Sequence, residues 1–151
     1  MKKQAPKILI VDDDEGHAIL VQQNLESAGL NNEIEHFRDG QAVLDFFFGT
    51  DGTPPRHTGE VFLVLLDIRM PKVDGIQVLR RLKSDPELRK IPIIMLTTTD
   101  DEREVERCHA LGCSVYIQKP VEYERFAEAI RRLGMFVTLL LVPAVSEGAA
   151  T

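Results

Sequence analysis

The sequence has few cysteines and no surplus of positive charge, and each shortage excludes a class of protein. Its 151 residues include two cysteines, Cys108 and Cys113, which form neither a disulfide framework nor a zinc-binding pattern. We expect both to be reduced and structural. The 18 basic and 24 acidic residues give a net charge of −6, which argues against unaided binding of nucleic acid.

Long apolar runs are also absent. No run reaches the roughly 18–20 residues that a membrane-spanning helix requires. The N-terminal segment has neither the length nor the cleavage-site residues of a signal peptide. We therefore expect a cytoplasmic protein with no membrane association, and the length favours one main domain.

Short apolar runs alternate with amphipathic stretches, which is typical of an α/β protein. The predicted strands cover 7–11, 33–37, 61–66, 93–96 and 114–118, and the last predicted helix covers 122–133. Right-handed crossovers would place helices on both faces of one doubly wound, five-stranded parallel sheet. In such folds the ligand site lies at the carboxyl ends of the strands.

Polar residues follow four of these strands directly. The sequence places Asp12, Asp13 and Asp14 after strand one, Asp67 after strand three, Thr97 after strand four and Lys119 after strand five. Clustered carboxylates repel each other unless a cation joins them, and Mg²⁺ prefers such oxygen ligands. A carboxylate beside Mg²⁺ can also act as a nucleophile towards a phosphoryl group.

Each of these residues also has a purely structural explanation. Asp13 or Asp14 can N-cap the first helix. Thr99 with Glu102 matches a capping box, and Lys119 can be a solvated loop lysine. The four histidines have no ligand spacing and are expected mainly at the surface: His17, His36, His57 and His109.

Four segments in order carry a family resemblance: KILIVDDDE at 7–15, VLLDIRMPKVDG at 64–75, PIIMLTTTD at 92–100 and VYIQKP at 115–120. They resemble the receiver domain of two-component response regulators over about residues 7–132. The resemblance implies a flavodoxin-like receiver fold and a signalling protein rather than an enzyme. It also implies a histidine kinase as the partner that supplies the phosphoryl group.

The resemblance assigns a role to each of the site residues. Asp67 is the phosphoacceptor, and Asp12 and Asp13 are the acidic pair. Mg²⁺ is held by Asp13, Asp67 and the backbone carbonyl of Arg69, with Asp12 acting through water. We also expect the Arg69 side chain to influence dephosphorylation.

The remaining assignments concern the conformational switch. Thr97 matches the switch hydroxyl and Tyr116 the switch aromatic residue. Lys119 matches the lysine that pairs with the phosphoryl group, and its bond to Pro120 is expected to be cis, as is usual in the family.

The C-terminal segment lacks charge, since only Glu147 is charged after Arg132. We expect a receiver domain over 1–134 and an apolar arm over 135–151, too short for an output domain. As a strand the arm is apolar on both faces, which favours exchange with a second subunit in a homodimer. The apolar arm residues are Met135, Phe136, Val137, Leu139, Leu140, Leu141 and Val142. An extension of the last helix, packed on its own domain, is the alternative, although Gly134 interrupts it.

The arm, together with segments such as DDDEGHA and RCHALGCSVYIQKPVEYERFA, resembles the response regulators that partner bacterial phytochromes. This resemblance implies dimerisation through the arm and a red-light-sensing bilin photoreceptor as the kinase. Two rival functions are a phosphorylation-independent dimeric scaffold and an aspartate-nucleophile phosphatase. The phosphatase is disfavoured because its second acid, two residues after the nucleophile, is replaced by Arg69.

Overall fold

The computed structural model describes residues 5–50, 57–120, 122–139 and 142–146. The strands are β1 Lys7–Val11, β2 Ile34–Phe37, β3 Phe62–Leu66, β4 Ile93–Thr97 and β5 Val115–Gln118. The helices are α1 Glu15–Ser27, α2 Gly40–Phe48, α3 Gly75–Lys83, α4 Glu102–Leu111 and α5 Tyr123–Val137, with a 3₁₀ turn at Leu88–Lys90.

All five strands are parallel and lie in the order β2-β1-β3-β4-β5, which confirms the predicted α/β sheet. Strand β3 is buried on both faces because its side chains alternate between two apolar layers. Leu63 and Leu65 pack in the layer that contains α1 and α5. Phe62, Val64 and Leu66 pack in the layer that contains α2, α3 and α4.

The strand order reverses between β1 and β3, and the register there brings two acidic positions together. Val11 pairs with Leu66 in the parallel ladder, so Asp12 and Asp67 follow at the same edge. The backbone N–H of Asp67 donates to the Val11 carbonyl at 3.0 Å, which continues the ladder past the strand. The fold therefore opens a cleft where a doubly wound sheet is expected to bind its ligand.

The caps of two helices decide between the structural explanations of the acidic and hydroxyl residues. Asp14 caps α1 by accepting from the backbone N–H of His17, which leaves Asp12 and Asp13 outside the cap. The predicted capping box of Thr99 and Glu102 is wrong. Asp101 caps α4 instead, since its carboxylate accepts from the backbone N–H of Arg103.

The last helix is longer than predicted, so the expected strand from Met135 is wrong for the residues up to Val137. Helix α5 continues through Gly134, which lies against α1 rather than ending the helix. A Cβ atom at position 134 would lie 2.8 Å from the Cβ of Ala28. The glycine therefore permits close packing of two helices, and the alternative of a helix extension describes residues 135–137.

The seven arm residues differ in their surroundings. Val137 is buried against the α1 and α5 layer, whereas Met135, Phe136 and Leu139 are 65%, 48% and 76% exposed. Val142 is buried. Leu140 and Leu141 lie outside the described residues.

The segment 142–146 returns to the body of the domain at the amino ends of the strands. The Val145 backbone accepts from the N–H of Gly59 at 2.8 Å and donates to the carbonyl of Glu60 at 2.9 Å. The side chain of Val145 is buried in the α2–α4 layer. This part of the arm therefore contacts its own domain.

Both cysteines are buried and free, in agreement with a structural role. Burial raises the pKa of the Cys108 thiol to about 11. Within the described ranges, no helix combines the length and the apolar character needed to cross a membrane.

Candidate functional site

Three carboxylates meet at the carboxyl ends of β1 and β3. One oxygen from each of Asp12, Asp13 and Asp67 lies within 4.8 Å of the other two. Asp12 is buried and the Asp67 side chain is only 12% exposed, while Asp13 is open to solvent. Such a set, with one exposed member, can receive a hard divalent cation from solvent.

The loops around the site hold these carboxylates by short backbone hydrogen bonds. Asp12 accepts from the N–H of Asp14 at 2.9 Å, and Asp67 accepts from the N–H of Ile68 at 2.8 Å. The N–H of Gly75 donates to the Ile68 carbonyl at 2.9 Å. A Cβ on Gly75 would lie 2.0 Å from the Asp67 carbonyl oxygen, so glycine is required where α3 begins against this loop.

Lys119 is a buried cation between two of the carboxylates. Its Nζ lies 2.6 Å from Asp12 Oδ2 and 3.6 Å from Asp67 Oδ2, and its side chain is 3% exposed. Burial raises the pKa of Asp12, and the hydrogen bond and charge of Lys119 oppose that rise. The explanation of Lys119 as a solvated loop lysine is therefore wrong.

Thr97 presents a buried hydroxyl at the end of β4, the strand next to β5 and Lys119. Its Oγ1 has no hydrogen-bond partner among the described residues, although the residue is fully buried. An unpaired buried hydroxyl costs about 1–3 kcal/mol. The carbonyl of Thr97 accepts from the N–H of Lys119 at 2.7 Å, so the hydroxyl and the ammonium come from adjoining strand ends. A bound anion would satisfy that hydroxyl.

Tyr116, the predicted switch aromatic residue, is half-buried and is held by a hydrogen bond. The Tyr116 hydroxyl donates to the carbonyl of Thr99 at 2.9 Å. Burial raises the pKa of Tyr116 to about 12. The ring is therefore held as a neutral hydrogen-bond donor against the loop that joins β4 to α4.

The structure corrects one expectation about the backbone and shows which histidine is the exception to a surface position. No peptide bond among the described residues is cis, so the bond between Lys119 and Pro120 is trans; nothing in the structure explains this departure from the family. His57 is not at the surface, since its side chain is 11% exposed and its Nε2 lies 2.8 Å from the Phe46 carbonyl.

Two residues near the site were missed from the sequence. His17 lies in the first turn of α1, with its Nδ1 3.3 Å from Lys119 Nζ. Its place two residues after the acidic run 12–15 that follows strand one was the available signal. Glu104 lies in the first turn of α4 and accepts from Arg69 at 2.9 Å. No sequence signal distinguishes it from the other glutamates of that helix.

Comparisons with known proteins agree with this geometry. Residues 8–131 match the family described as the response regulator receiver domain. The response regulator Rcp1 of Synechocystis is 35% identical over 114 residues, which cover 74% of this chain and 75% of Rcp1. A structure of Rcp1 in its Mn²⁺-bound form has a TM-score of 0.79 at 27% identity and covers 92% of this chain and all of that one.

Two further solved structures are similar over most of both chains. A response regulator receiver domain from Rhodospirillum rubrum has a TM-score of 0.88 at 46% identity, with 93% of this chain and 99% of that chain covered. The bacteriophytochrome response regulator AtBRR has a TM-score of 0.67 at 39% identity, with 91% and 98% covered. The chain therefore belongs to the response regulator receiver family, and the proteins that it resembles include phytochrome response regulators.

Proposed function

We propose that this protein is a response regulator whose receiver domain accepts a phosphoryl group on Asp67 from the phosphohistidine of a histidine kinase. The observation that carries the proposal is the burial of Lys119 against Asp12 and Asp67, together with the unpaired buried hydroxyl of Thr97 at the adjoining strand end. A cation and a free donor next to a carboxylate nucleophile are the groups that a transferred phosphoryl group requires.

The transfer itself needs little chemistry from the protein. A carboxylate oxygen of Asp67 attacks the phosphorus atom, the new O–P bond forms and the N–P bond of phosphohistidine breaks. The electron pair of that bond stays on the imidazole, which takes a proton from solvent. Lys119 then pairs with one phosphoryl oxygen, and the Thr97 hydroxyl donates to another.

The carboxylate cluster fits a Mg²⁺ ion, because a divalent cation would offset the burial of Asp12 and the repulsion among three acids. Asp13, Asp67 and the backbone carbonyl of Arg69 would hold it, with Asp12 acting through water. When bound, the ion neutralises charge on the transferring phosphoryl group. The Mn²⁺-bound structure of the relative Rcp1 supports a divalent cation in proteins of this family.

Phosphorylation then changes the shape of one face of the domain. The Thr97 hydroxyl engages the phosphoryl group, and Tyr116 leaves the Thr99 carbonyl for the space that Thr97 vacates. A shift of this two-state equilibrium from 1:99 to 99:1 takes about 5.5 kcal/mol of differential stabilisation. A charged group in a buried site can supply energy of that order.

The partner kinase that we infer is a bacteriophytochrome, so the pathway is light signalling. The support is the similarity to the bacteriophytochrome response regulators AtBRR and RtBRR and to a phosphorylated cyanobacterial phytochrome response regulator, RcpA. RtBRR is 31% identical, with 95% of this chain and 84% of that chain covered.

We also propose a homodimer that forms through the C-terminal arm. Three large apolar side chains, Met135, Phe136 and Leu139, are exposed at the end of α5. A monomer would leave this cluster in water, whereas a second copy with the same cluster would cover it across a two-fold axis.

The proposal is tested by binding of beryllofluoride, a phosphoryl mimic, in the presence of Mg²⁺. Fluorine NMR is expected to show bound beryllofluoride in the wild-type protein and none in Asp67→Asn. Asp100→Asn removes the same charge from an exposed position and is expected to bind like the wild type. Binding by Asp67→Asn at wild-type affinity would move the acceptor site elsewhere.

A further inference from the structure

A continuous chain of polar contacts joins the mouth of the Asp67 site to Tyr116. The Arg69 guanidinium donates to Glu104 Oε1 at 2.9 Å. The Thr99 hydroxyl donates to Glu104 Oε2, also at 2.9 Å. The carbonyl of Thr99 in turn accepts from the Tyr116 hydroxyl. Both oxygens of one carboxylate therefore hold two loops that follow different strands.

We propose that Glu104 is a positioning residue that keeps Arg69 and Tyr116 in their resting arrangement, so that phosphorylation must release its contacts. This inference rests on the proposed function and adds a route to Tyr116 besides Thr97. It concerns a residue of α4 that lies outside the carboxylate cluster.

The two ends of the ion pair differ in exposure, and the more exposed arginine is the partner that can be exchanged. The Glu104 side chain is 20% exposed and is fixed by two hydrogen bonds, whereas the Arg69 side chain is 67% exposed. A guanidinium can bind the oxygens of a phosphate group in the same bidentate way in which it binds those of a carboxylate. A phosphoryl group on Asp67, two residues before Arg69, therefore competes with Glu104 for the arginine.

When Arg69 leaves Glu104, the hydrogen bond that holds the Thr99 segment is weakened. Without Arg69, the Glu104 carboxylate keeps one of its two fixing contacts, and its side chain can turn towards water, which solvates the charge. The Thr99 segment is then held less firmly, and its carbonyl is a weaker anchor for Tyr116. Release of Glu104 thus favours the same movement of the ring that engagement of Thr97 favours.

The test uses Glu104→Gln, which keeps the shape of the side chain but leaves one acceptor oxygen in place of two. Glu106→Gln is the matched control, because it removes the same charge from an exposed position on the same helix. Incorporated 3-fluorotyrosine reports on the protein's two tyrosines, Tyr116 and the exposed Tyr123, and Tyr116→Phe assigns the signals.

We expect Glu104→Gln alone to shift the Tyr116 resonance towards its position in wild-type protein with Mg²⁺ and beryllofluoride, with Tyr123 unchanged. Labelling of Asp67 by acetyl phosphate is expected to accelerate about two- to five-fold, the range for a partly exposed ion pair.

Three outcomes would overturn the inference. Identical behaviour of Glu104→Gln and Glu106→Gln, or faster labelling without a shift of Tyr116, would leave Asp67 as the acceptor but remove the role of Glu104. No labelling of Asp67 in the wild-type protein would overturn the proposed function as well.

Discussion

Lys119 places one buried positive charge between two carboxylates, so it offsets part of their repulsion before any phosphoryl group or metal ion arrives. Its ammonium lies 2.6 Å from Asp12 and 3.6 Å from Asp67 in a buried setting. Removal of one member of a buried ion pair leaves a charge without compensation, which is far more costly than loss of a surface pair. The same lysine is thus structural in the resting protein and a phosphoryl ligand in the proposed function.

Lys119→Ala is expected to lower the free energy of unfolding by about 3–5 kcal/mol in the absence of divalent cations. Mg²⁺ is expected to restore part of this loss, because it neutralises the same carboxylates. Urea denaturation with EDTA and with Mg²⁺ measures both effects.

The control for this prediction is Lys90→Ala. Lys90 forms a 2.7 Å ion pair with Glu87 near the surface, so its removal is expected to cost no more than about 1 kcal/mol. The stability of Lys90→Ala is also expected to be independent of Mg²⁺. A Lys119→Ala protein as stable as the wild type in EDTA would show that the lysine does not hold the carboxylates.

The residues whose place could be predicted are those that come directly after a strand. Asp12, Asp67 and Lys119 are brought together by the parallel sheet itself, so the strand pattern alone indicates their neighbourhood. His17 and Glu104 lie on helices, and their approach to the site depends on how α1 and α4 pack. That packing is decided by long-range contacts which no local pattern records.

Among the secondary-structure elements, α5 shows most clearly how packing overrides local preference. A glycine within a helix costs roughly 1 kcal/mol relative to alanine, so Gly134 favours a helix end by propensity. The contact with α1 outweighs this cost, since a larger side chain at 134 would separate the two helices. The five strands were predictable because their apolar pattern and their packing agree.

Gly134→Ala is therefore expected to destabilise the protein by about 1–3 kcal/mol, the usual range for overpacking, despite the better helix propensity of alanine. The second variant, Ala28→Gly, removes the Cβ atom that the new methyl group would meet. The double variant is expected to regain much of the lost stability, which thermal unfolding measures. Equal stability of Gly134→Ala and the wild type would mean that α1 and α5 separate at little cost.

At the scale of the whole molecule, one part of the C-terminal region packs on its own domain and another part presents an apolar surface. The segment 142–146 crosses to the α2–α4 layer and buries Val145 there. Met135, Phe136 and Leu139 stay exposed before it. An apolar arm could be predicted from composition, but its division between buried and exposed residues could not, because both sides contain the same residue types.

The proposed dimer predicts that charges at the end of α5 separate the subunits. Met135→Glu combined with Leu139→Glu places two carboxylates one helical turn apart on the exposed cluster. Light scattering is expected to give the mass of two chains for the wild type and of one chain for this variant. Tyr123→Glu, at the exposed opposite end of α5, is the control and is expected to stay dimeric. A double variant with the wild-type mass would exclude this cluster from the interface.

The proposed function requires that Asp67 accepts the phosphoryl group and that its labelling needs a divalent cation. The most direct measurement treats the protein with acetyl phosphate, reduces any acyl phosphate with borohydride to give homoserine, and maps the product by peptide mass spectrometry. We predict homoserine at position 67 in Mg²⁺, and none in EDTA or in Asp67→Asn. Homoserine at a different aspartate, or no conversion at position 67 in Mg²⁺, would contradict the account.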